Sequence, residues 1–359
     1  MTEYESKDPP SAEEQVKFLA KMQRLLSEGS FTATYKFALL MSIADLAVER
    51  GEDSGHTLLL PLDAISEKFI LYYWGQTKPY VPLSDTGFTG GMLRQNTSGQ
   101  AAILSRLEAF QSEVTHNINV ARNHIQQWER LVRDVKRTIC TMPLWRLQTV
   151  GDQLLDFLYP DRYLIADSIE LRPGVAYCLR RFHSLVLDLV RGAWLTYIRR
   201  YNQEVLGTST DLDQFLFGTQ RRSLQGVTKV LLELQAGRCF YCQRNLQAKV
   251  DIDHFVPWSR YAVDLGHNFV AAHDSCNRSK SDHIAALEHL EPWFRRSIKH
   301  ETRISEAIGQ AGFVCDLKAS LQVVRWAYEQ AEVIGERGWV KGTDLSAIGS
   351  EWREILGIR

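Results

Sequence analysis

Two short pairs of metal-ligand residues constrain this chain more than any other feature of its sequence. Cys239 and Cys242 are separated by two residues. Thirty-one residues beyond Cys242, His273 and Cys276 repeat that spacing. Two such pairs let four side chains meet around a tetrahedral Zn²⁺ ion, and three thiolates with one imidazole leave no open position on the metal. We therefore predict a structural zinc site that stabilises a small folded unit, with His267 as an alternative to His273.

The residues between the two pairs predict two strands and a helix. The segment 249–254 alternates polar and apolar side chains, as a short strand does, and ends in the pair Asp253-His254. The segment 266–270 predicts a turn into a second strand, and a helix begins at Cys276. Two strands and a helix around one metal ion form a ββα-metal arrangement.

The stretch from Cys239 to Asp282 resembles the HNH endonuclease family. The resemblance is carried by the zinc pairs and by Asp253-His254, Pro257, Asn268 and the run Cys276-Asn277-x-x-Lys280. Asn277 stands where many members have His, so the stretch resembles the H-N-N variant. Its end is similar to the end of the HNH domain in CRISPR type II effectors, which also has Asn there. An amide oxygen can ligate a hard divalent cation, so this difference is compatible with activity.

The resemblance and the chemistry of phosphodiester hydrolysis imply the same roles for these residues. Hydrolysis requires a base for the attacking water, a cation that neutralises charge at phosphorus, and stabilisation of the leaving oxygen. His254 is the expected general base, because a neutral imidazole titrates near the working pH. Asp253 and Asn277 are expected to hold one catalytic Mg²⁺ (or Mn²⁺) ion. Asn268 is expected to hold the backbone around His254 and keep its ring oriented.

Basic residues near the predicted helix are candidates for binding nucleic acid. Arg278 and Lys280 lie near a helix N-terminus, where they are placed to bind flanking phosphates. A solvated helix start is the alternative interpretation of these two residues. Arg260 and Lys249 are weaker candidates for the same role.

The rest of the chain predicts a mainly α-helical protein, with a helical N-terminal body, a small zinc-braced ββα-metal HNH module and C-terminal helices. Ser11 and Glu14 have the spacing of a capping box, which predicts a helix that runs to about Glu28. Apolar positions recur every three or four residues over 103–139, which predicts one long amphipathic helix or two in line. A second long helix is predicted after Pro173, and another over 317–334.

Two turn-rich stretches, 77–100 and 207–220, divide the helical regions. We predict four regions: a helical region at 1–100 with a winged-helix-like part as one alternative, a long-helix body with basic faces at 101–222, the HNH nuclease domain at 223–300, and a C-terminal helical region at 301–359.

The net charge of −1 indicates no particular partner, but the charges are unevenly distributed. Residues 1–120 carry ten Lys and Arg against fifteen Asp and Glu, whereas 120–146 carry six against two and 172–222 eight against four. The middle of the chain is therefore a candidate surface for DNA. Helices whose solvated faces are rich in arginine are the alternative.

The number of cysteines, the N-terminal sequence and the apolar stretches indicate the cellular compartment. Six cysteines without a signal-like N-terminus do not indicate a secreted disulfide framework. The longest apolar stretch, 175–206, is interrupted by arginines and is not expected to span a membrane. We expect a cytoplasmic protein without membrane insertion.

Together these features predict a metal-dependent DNA endonuclease that acts on double-stranded DNA. One module with one base and one catalytic metal ion is expected to nick a single strand. The alternatives are a non-catalytic, zinc-containing nucleic-acid-binding module and an RNase or toxin of the same fold. The helical body with an HNH module is similar to phage-defence nucleases, such as those of type II Zorya systems, and to McrA-like restriction enzymes, which implies protein partners from a defence operon.

Overall fold

The computed structural model of this chain describes residues 8–81, 91–97, 101–206, 211–218, 225–246 and 249–358. It divides into two compact units, Met1–Arg221 and Arg222–Arg359. The protein is mainly α-helical with short two-stranded sheets, as the sequence predicts. Parts of the two predicted turn-rich stretches, 82–90, 98–100, 207–210 and 219–220, lie outside the described residues.

The first unit is built from helices and two small antiparallel sheets. Its helices are α1 (Ala12–Glu28), α2 (Tyr35–Arg50), α3 (Leu62–Tyr73), α4 (Ala102–Glu113), α5 (Ile118–Asn123), α6 (Ile125–Thr141), α7 (Val175–Arg181), α8 (His183–Tyr201), α9 (Gln203–Leu206) and α10 (Leu212–Phe217). Its strands are β1 (Leu58–Pro61), β2 (Thr149–Val150), β3 (Gln153–Leu154) and β4 (Ser168–Leu171). β1 pairs with β4, and β2 pairs with β3. The partner of β1 thus lies far along the chain, whereas β2 and β3 are neighbours in sequence.

The predicted capping box at the start of α1 is present. The backbone N–H of Glu14 donates to Ser11 Oγ at 3.4 Å, and the backbone N–H of Ser11 donates to the Glu14 carboxylate at 2.8 Å. These reciprocal bonds satisfy two N–H groups that have no partner inside the helix.

The predicted long helix over 103–139 is wrong, because the structure divides it into α4, α5 and α6. The side chain of Asn117 accepts a hydrogen bond from the backbone N–H of Asn119 at 3.0 Å and thereby begins α5. α4 packs against α6, so the chain turns back on itself between them. The apolar spacing continues across the turns, because each short helix still needs a buried face. The helix predicted after Pro173 is likewise divided into α7 and α8 at Phe182.

Helix α2 forms the centre of the first unit and is buried along nearly its whole length. It packs against α3, α7 and α8. The ring of Trp194 on α8 packs against Phe37 of α2 and Tyr73 of α3. Within the described ranges, no helix of the protein combines the length and the apolar character needed to cross a bilayer.

A network of charged and polar side chains crosses this core. Asp45 on α2 accepts hydrogen bonds from the Tyr72 hydroxyl at 2.7 Å and lies 2.9 Å from Nε2 of His183. Lys68 Nζ lies 2.8 Å from Glu49 and 3.9 Å from Asp45. Burial alone would raise the pKa of Asp45, but the bond from His183 and the charge of Lys68 outweigh it and lower that pKa to about 2.

The second unit contains the predicted zinc ligands. Its helices are α11 (Gln225–Leu234), α12 (Asp274–Lys280), α13 (Leu287–Lys299), α14 (Glu301–Gln310), α15 (Leu317–Val333) and α16 (Trp352–Ile355). Its strands are β5 (Asp251–His254), β6 (Phe269–Ala272), β7 (Arg337–Lys341) and β8 (Asp344–Ala347), which pair antiparallel as β5 with β6 and β7 with β8. The order β5, β6, α12 is the predicted ββα arrangement, and α15 is the predicted helix over 317–334.

The C-terminal hairpin β7–β8 was not predicted, and it packs directly onto the ββα module. The backbone N–H of Trp339 donates to Ile284 O, and the N–H of Ala286 donates to Trp339 O, both at 2.8 Å. The ring of Trp339 meets the ring of Tyr241 edge to face. The residues after 300 therefore belong to the same compact unit as the module.

Candidate functional site

The four predicted zinc ligands come together at one point in the second unit. The ligand atoms of Cys239, Cys242, His273 and Cys276 all lie within 4.8 Å of one another. Sγ of Cys242 lies 3.3 Å from Nδ1 of His273. In a tetrahedral zinc site, ligand atoms lie about 3.6 to 3.8 Å apart. The four residues therefore fit a structural zinc ion and can hold one.

His273 is oriented for this role by its second ring nitrogen. Its Nε2 lies 3.2 Å from the backbone carbonyl oxygen of Asn245, which can accept only a hydrogen bond. The proton is therefore expected on Nε2, and Nδ1 is left to face the sulfur atoms. The backbone N–H of His273 also donates to Sγ of Cys239 at 3.4 Å.

Three thiolates can share this space only around a cation, because their negative charges repel one another. Burial and the neighbouring Cys239 and Cys242 raise the pKa of the Cys276 thiol to about 12. His267, the alternative fourth ligand, does not join the cluster and is wholly buried. Burial and the Arg296 charge lower its pKa to about 4. The alternative is therefore wrong: the fourth ligand position belongs to His273.

Asp253 lies at the end of β5 on the face that packs against α12. Its Oδ2 accepts a hydrogen bond from the Tyr241 hydroxyl at 2.5 Å and forms an ion pair with Nζ of Lys280 at 3.0 Å. Burial and the Asp253 carboxylate raise the pKa of Tyr241 well above its ordinary value, so Tyr241 stays protonated and donates. Both contacts use Oδ2, which leaves Oδ1 for another partner.

The prediction that Lys280 binds nucleic acid is contradicted by its position. Its side chain is 0% exposed, and Nζ donates to the backbone carbonyl of His254 at 2.9 Å. The last turn of α12 packs against β5, so the side chain at this position points inward. Lys280 therefore binds Asp253 through an ion pair and His254 through its backbone carbonyl, from the interior of the module.

His254 is held on its other side by a residue that sequence reasoning missed. Nε2 of His254 lies 2.9 Å from Oδ1 of Asp264. The imidazole also packs edge-on against the rings of Trp258 and Phe269, with centroids 5.2 and 5.1 Å away. Asp264 is a lone acid in an apolar loop, and no spacing in the sequence marks it.

Asn268 lies against the backbone that follows His254. The Val256 N–H donates to its Oδ1 at 2.8 Å, and its Nδ2 donates to Val256 O at 3.0 Å. The backbone N–H of Phe255 donates to the carbonyl of Asn268 at 2.8 Å. This buried amide therefore ties the chain after β5 to the start of β6.

Asn277 on α12 faces a second acid that sequence reasoning missed. Its Nδ2 donates to Oδ2 of Asp251 at 3.3 Å. Asp251 precedes Asp253 by two residues on β5, and the two-residue period of a strand was the signal that places both on one face. A carboxylate oxygen and an amide oxygen, such as those of Asp253 and Asn277, are ligand types that Mg²⁺ takes beside water or phosphate.

The other predicted nucleic-acid-binding residues differ in how accessible they are. The side chains of Arg278 and Lys249 are 74% and 78% exposed, and both lie near Asp274, at 2.5 and 3.8 Å. Arg260 is mostly buried and forms an ion pair with Glu336. Arg278 and Lys249 are therefore accessible to a phosphate backbone, whereas Arg260 serves the fold.

The basic helices of the first unit present fewer free charges than the sequence suggests. Arg180 is buried, pairs with Asp53 and donates to the carbonyl of Val48 at 3.0 Å. Lys136 forms ion pairs with Asp63 and Asp167. The exposed positions on these helices include Arg130, Arg133, Arg199 and Arg200.

Comparison with family models gives two matches, one in each unit. Residues 15–216 match a family described as a domain of unknown function (DUF8808). Residues 239–286 match the HNH endonuclease model. No curated protein matches the chain. The second match covers the zinc ligands and the Asp253-His254 pair, and it indicates a nuclease that acts on nucleic acid. Since the first match spans more than half of its length, the chain belongs to the DUF8808 family, and its second unit carries an HNH endonuclease domain.

Proposed function

We propose that this protein is a metal-dependent DNA endonuclease that hydrolyses phosphodiester bonds at a one-metal site of the H-N-N type. The observation that carries the proposal is that His254 and Asp253 on β5, the buried Asn268 before β6 and Asn277 on α12 lie on the two paired strands and the helix packed against them. His273 directly follows β6 and Cys276 lies in the first turn of α12, so a zinc ion that joins them to Cys239 and Cys242 would hold these elements together.

Each residue of the site would have a separate role in hydrolysis: base, metal ligand or positioning residue. A neutral His254 would remove a proton from the attacking water. Asp253 and Asn277 would hold the Mg²⁺ or Mn²⁺ ion, which supplies Lewis-acid stabilisation of the charge at phosphorus when bound. Tyr241 and Lys280 would keep the Asp253 carboxylate in place, and their contacts leave its Oδ1 for the cation.

A single site of this kind would cut one strand, so we expect the monomer to be a nickase. The proposed setting is cytoplasmic phage defence or restriction, with double-stranded DNA as substrate and proteins of a defence operon as partners. The support for this setting is the resemblance of the HNH stretch and the helical body to such nucleases.

The test is a plasmid-nicking assay with Mg²⁺ or Mn²⁺. His254→Ala should lower the nicking rate at least about 1000-fold, because it removes the general base. His300→Ala, which changes a histidine of the same unit outside the site, should nick at the rate of the unaltered protein. Failure of the intact protein to nick with either metal would contradict the proposal. DNA binding without nicking would then favour a binding module, and cleavage of RNA alone would favour an RNase.

A further inference from the structure

We propose that Asp264 is a positioning residue for His254, holding the imidazole through Nε2 so that Nδ1 accepts the proton of the attacking water. This inference rests on the proposed function, because it assigns a role within the same site. Asp264 lies ten residues beyond His254 in a loop, outside the residues that carry the HNH resemblance.

The first support is the burial of the pair. The side chain of Asp264 is 6% exposed and that of His254 is 16% exposed. A buried carboxylate is costly unless it is paired or hydrogen-bonded. The imidazole, 2.9 Å away, meets that need. The contact is thus an internal feature of the fold and not a chance meeting of two surface side chains.

The second support is the anchoring of the loop that carries Asp264. The adjoining Leu265 forms a parallel bridge with Val314, and the N–H of Gly266 donates to Val314 O at 2.8 Å. On the other side, the buried ring of Tyr261 packs edge-on against Trp326. Because both flanks of Asp264 are packed, its carboxylate is presented to His254 from a fixed position.

The third support is the ring nitrogen that the contact leaves available. A neutral imidazole has one N–H, and a carboxylate at Nε2 can only accept, so the proton belongs on Nε2. Among the described residues, nothing forms a hydrogen bond with Nδ1 of His254. The rings of Trp258 and Phe269 pack against the imidazole and restrict its rotation. Nδ1 is therefore the basic lone pair in a fixed orientation.

Of the described charged residues near His254, Asp264 is the one that contacts the imidazole ring. Asp253 precedes it on β5, and Lys280 contacts it from α12. Asp253 and Lys280 form an ion pair with each other at 3.0 Å. The contact that Lys280 makes with His254 is to its backbone carbonyl, not to its ring. The residue facing it from β6 is Phe269, which carries no charge. Asp264 is thus the carboxylate that contacts the ring.

The proposed step balances without any further reactant. An O–H bond of water breaks, its proton joins Nδ1, and the water oxygen bonds to phosphorus. The bond from phosphorus to the 3′ oxygen breaks, and the leaving oxygen keeps the electron pair and takes a proton from solvent. Nε2 keeps its proton throughout, and Asp264 stays ionised beside the imidazolium that forms.

The test replaces the carboxylate by an amide of the same shape. Asp264→Asn should lower kcat about 100-fold and leave KM for plasmid DNA within about twofold, since it alters the base and not DNA binding. An amide can donate to Nε2, so the variant should lose the preference for the proton on Nε2. Asp344→Asn, on the exposed hairpin strand β8, is the matched control and should nick at the unaltered rate.

A spectroscopic measurement on the intact protein separates this inference from the proposed function. Long-range ¹H–¹⁵N spectra of histidine-labelled protein, assigned with His254→Ala, should show the proton of His254 on Nε2. A proton on Nδ1, or full kcat in a folded Asp264→Asn variant with normal zinc content, would overturn the inference. If the intact protein does not nick, the proposed function fails, while the spectrum still decides whether Asp264 orients His254.

Discussion

Each unit of the protein contains a buried aspartate–histidine pair, and the two pairs differ in what surrounds them. In the first unit His183 Nε2 lies 2.9 Å from Asp45, and in the second unit His254 Nε2 lies 2.9 Å from Asp264. The side chain of His183 is 1% exposed and its acid is shared with Tyr72. The side chain of His254 is 16% exposed.

We infer that access decides what such a pair does: the closed pair of the first unit stabilises the fold, whereas the pair with the more exposed histidine is the one proposed to take part in a reaction. Asp45 lies in a closed network in which hydrogen bonds from His183 and Tyr72 and the charge of Lys68 lower its pKa to about 2. Substrate cannot reach that network through the helices around it. His254 lies at the end of β5, next to the proposed metal ligand Asp253, and its contact with Asp264 uses Nε2 and not Nδ1.

Removal of zinc should have the largest effect, and it should disrupt the Asp264–His254 pair but not the Asp45–His183 pair. Cys276→Ser, or a strong chelator, should unfold the second unit, because structural zinc contributes several kcal/mol or more to small units. The Asp45–His183 pair should survive, since it lies in the large apolar core of the first unit. Limited proteolysis with mass spectrometry, together with zinc content, would measure this.

The control for the zinc experiment is Cys140→Ser, which changes a cysteine outside the cluster. It should leave one zinc ion bound and the proteolysis pattern unchanged. A Cys276→Ser variant whose second unit still resists the protease would show that the cluster does not brace the fold.

Asp45→Asn should have the next largest effect, on stability alone. Breaking a buried ion network by removing one partner costs about 3 to 5 kcal/mol. The nicking rate per folded molecule should not change, in contrast to Asp264→Asn. Urea unfolding followed on the first unit, with nicking assays of the folded fraction, would measure both quantities. A loss of kcat without a loss of stability would remove the distinction between the pairs.

The pH dependence of the Asp45 effect has a definite sign. The folded-state pKa of Asp45, about 2, lies below its ordinary value of 3.8, so the carboxylate stabilises the fold at higher pH. This contribution, roughly 2 kcal/mol, should be present above pH 4 and disappear as the pH falls to about 2. The free energy of unfolding of the unaltered protein should therefore approach that of Asp45→Asn in acid.

The smallest effect is expected from the exposed charges of the second unit. Arg278→Ala combined with Lys249→Ala should raise KM for DNA about two- to fivefold and reduce its salt dependence, with kcat unchanged. Arg295→Ala is the matched control, because Arg295 is equally exposed and has the same kind of ion pair, to Glu291. An equal effect of the control would mean that general charge, and not this face, binds DNA.

Local patterns predicted a large part of the second unit. The repeated two-residue spacing identified four residues whose ligand atoms do converge, and it did so because short loops force paired ligands together. The alternation before Asp253-His254 predicted β5, and the spacing over 317–334 predicted α15. In the first unit the same periodicity failed over 103–139, because a buried face continues through a reversal of the chain.

The sequence by itself determined the mainly helical class, the four residues that can hold zinc and the position of the HNH stretch, because these depend on residue type and short spacing. Only the tertiary structure decided that Lys280 points inward, that Asp251 faces Asn277 and that Asp264 holds His254. The hairpin that brings Trp339 onto Tyr241 was decided in the same way. Each of these contacts joins separate elements, and the packing of one element on another sets which side chains meet.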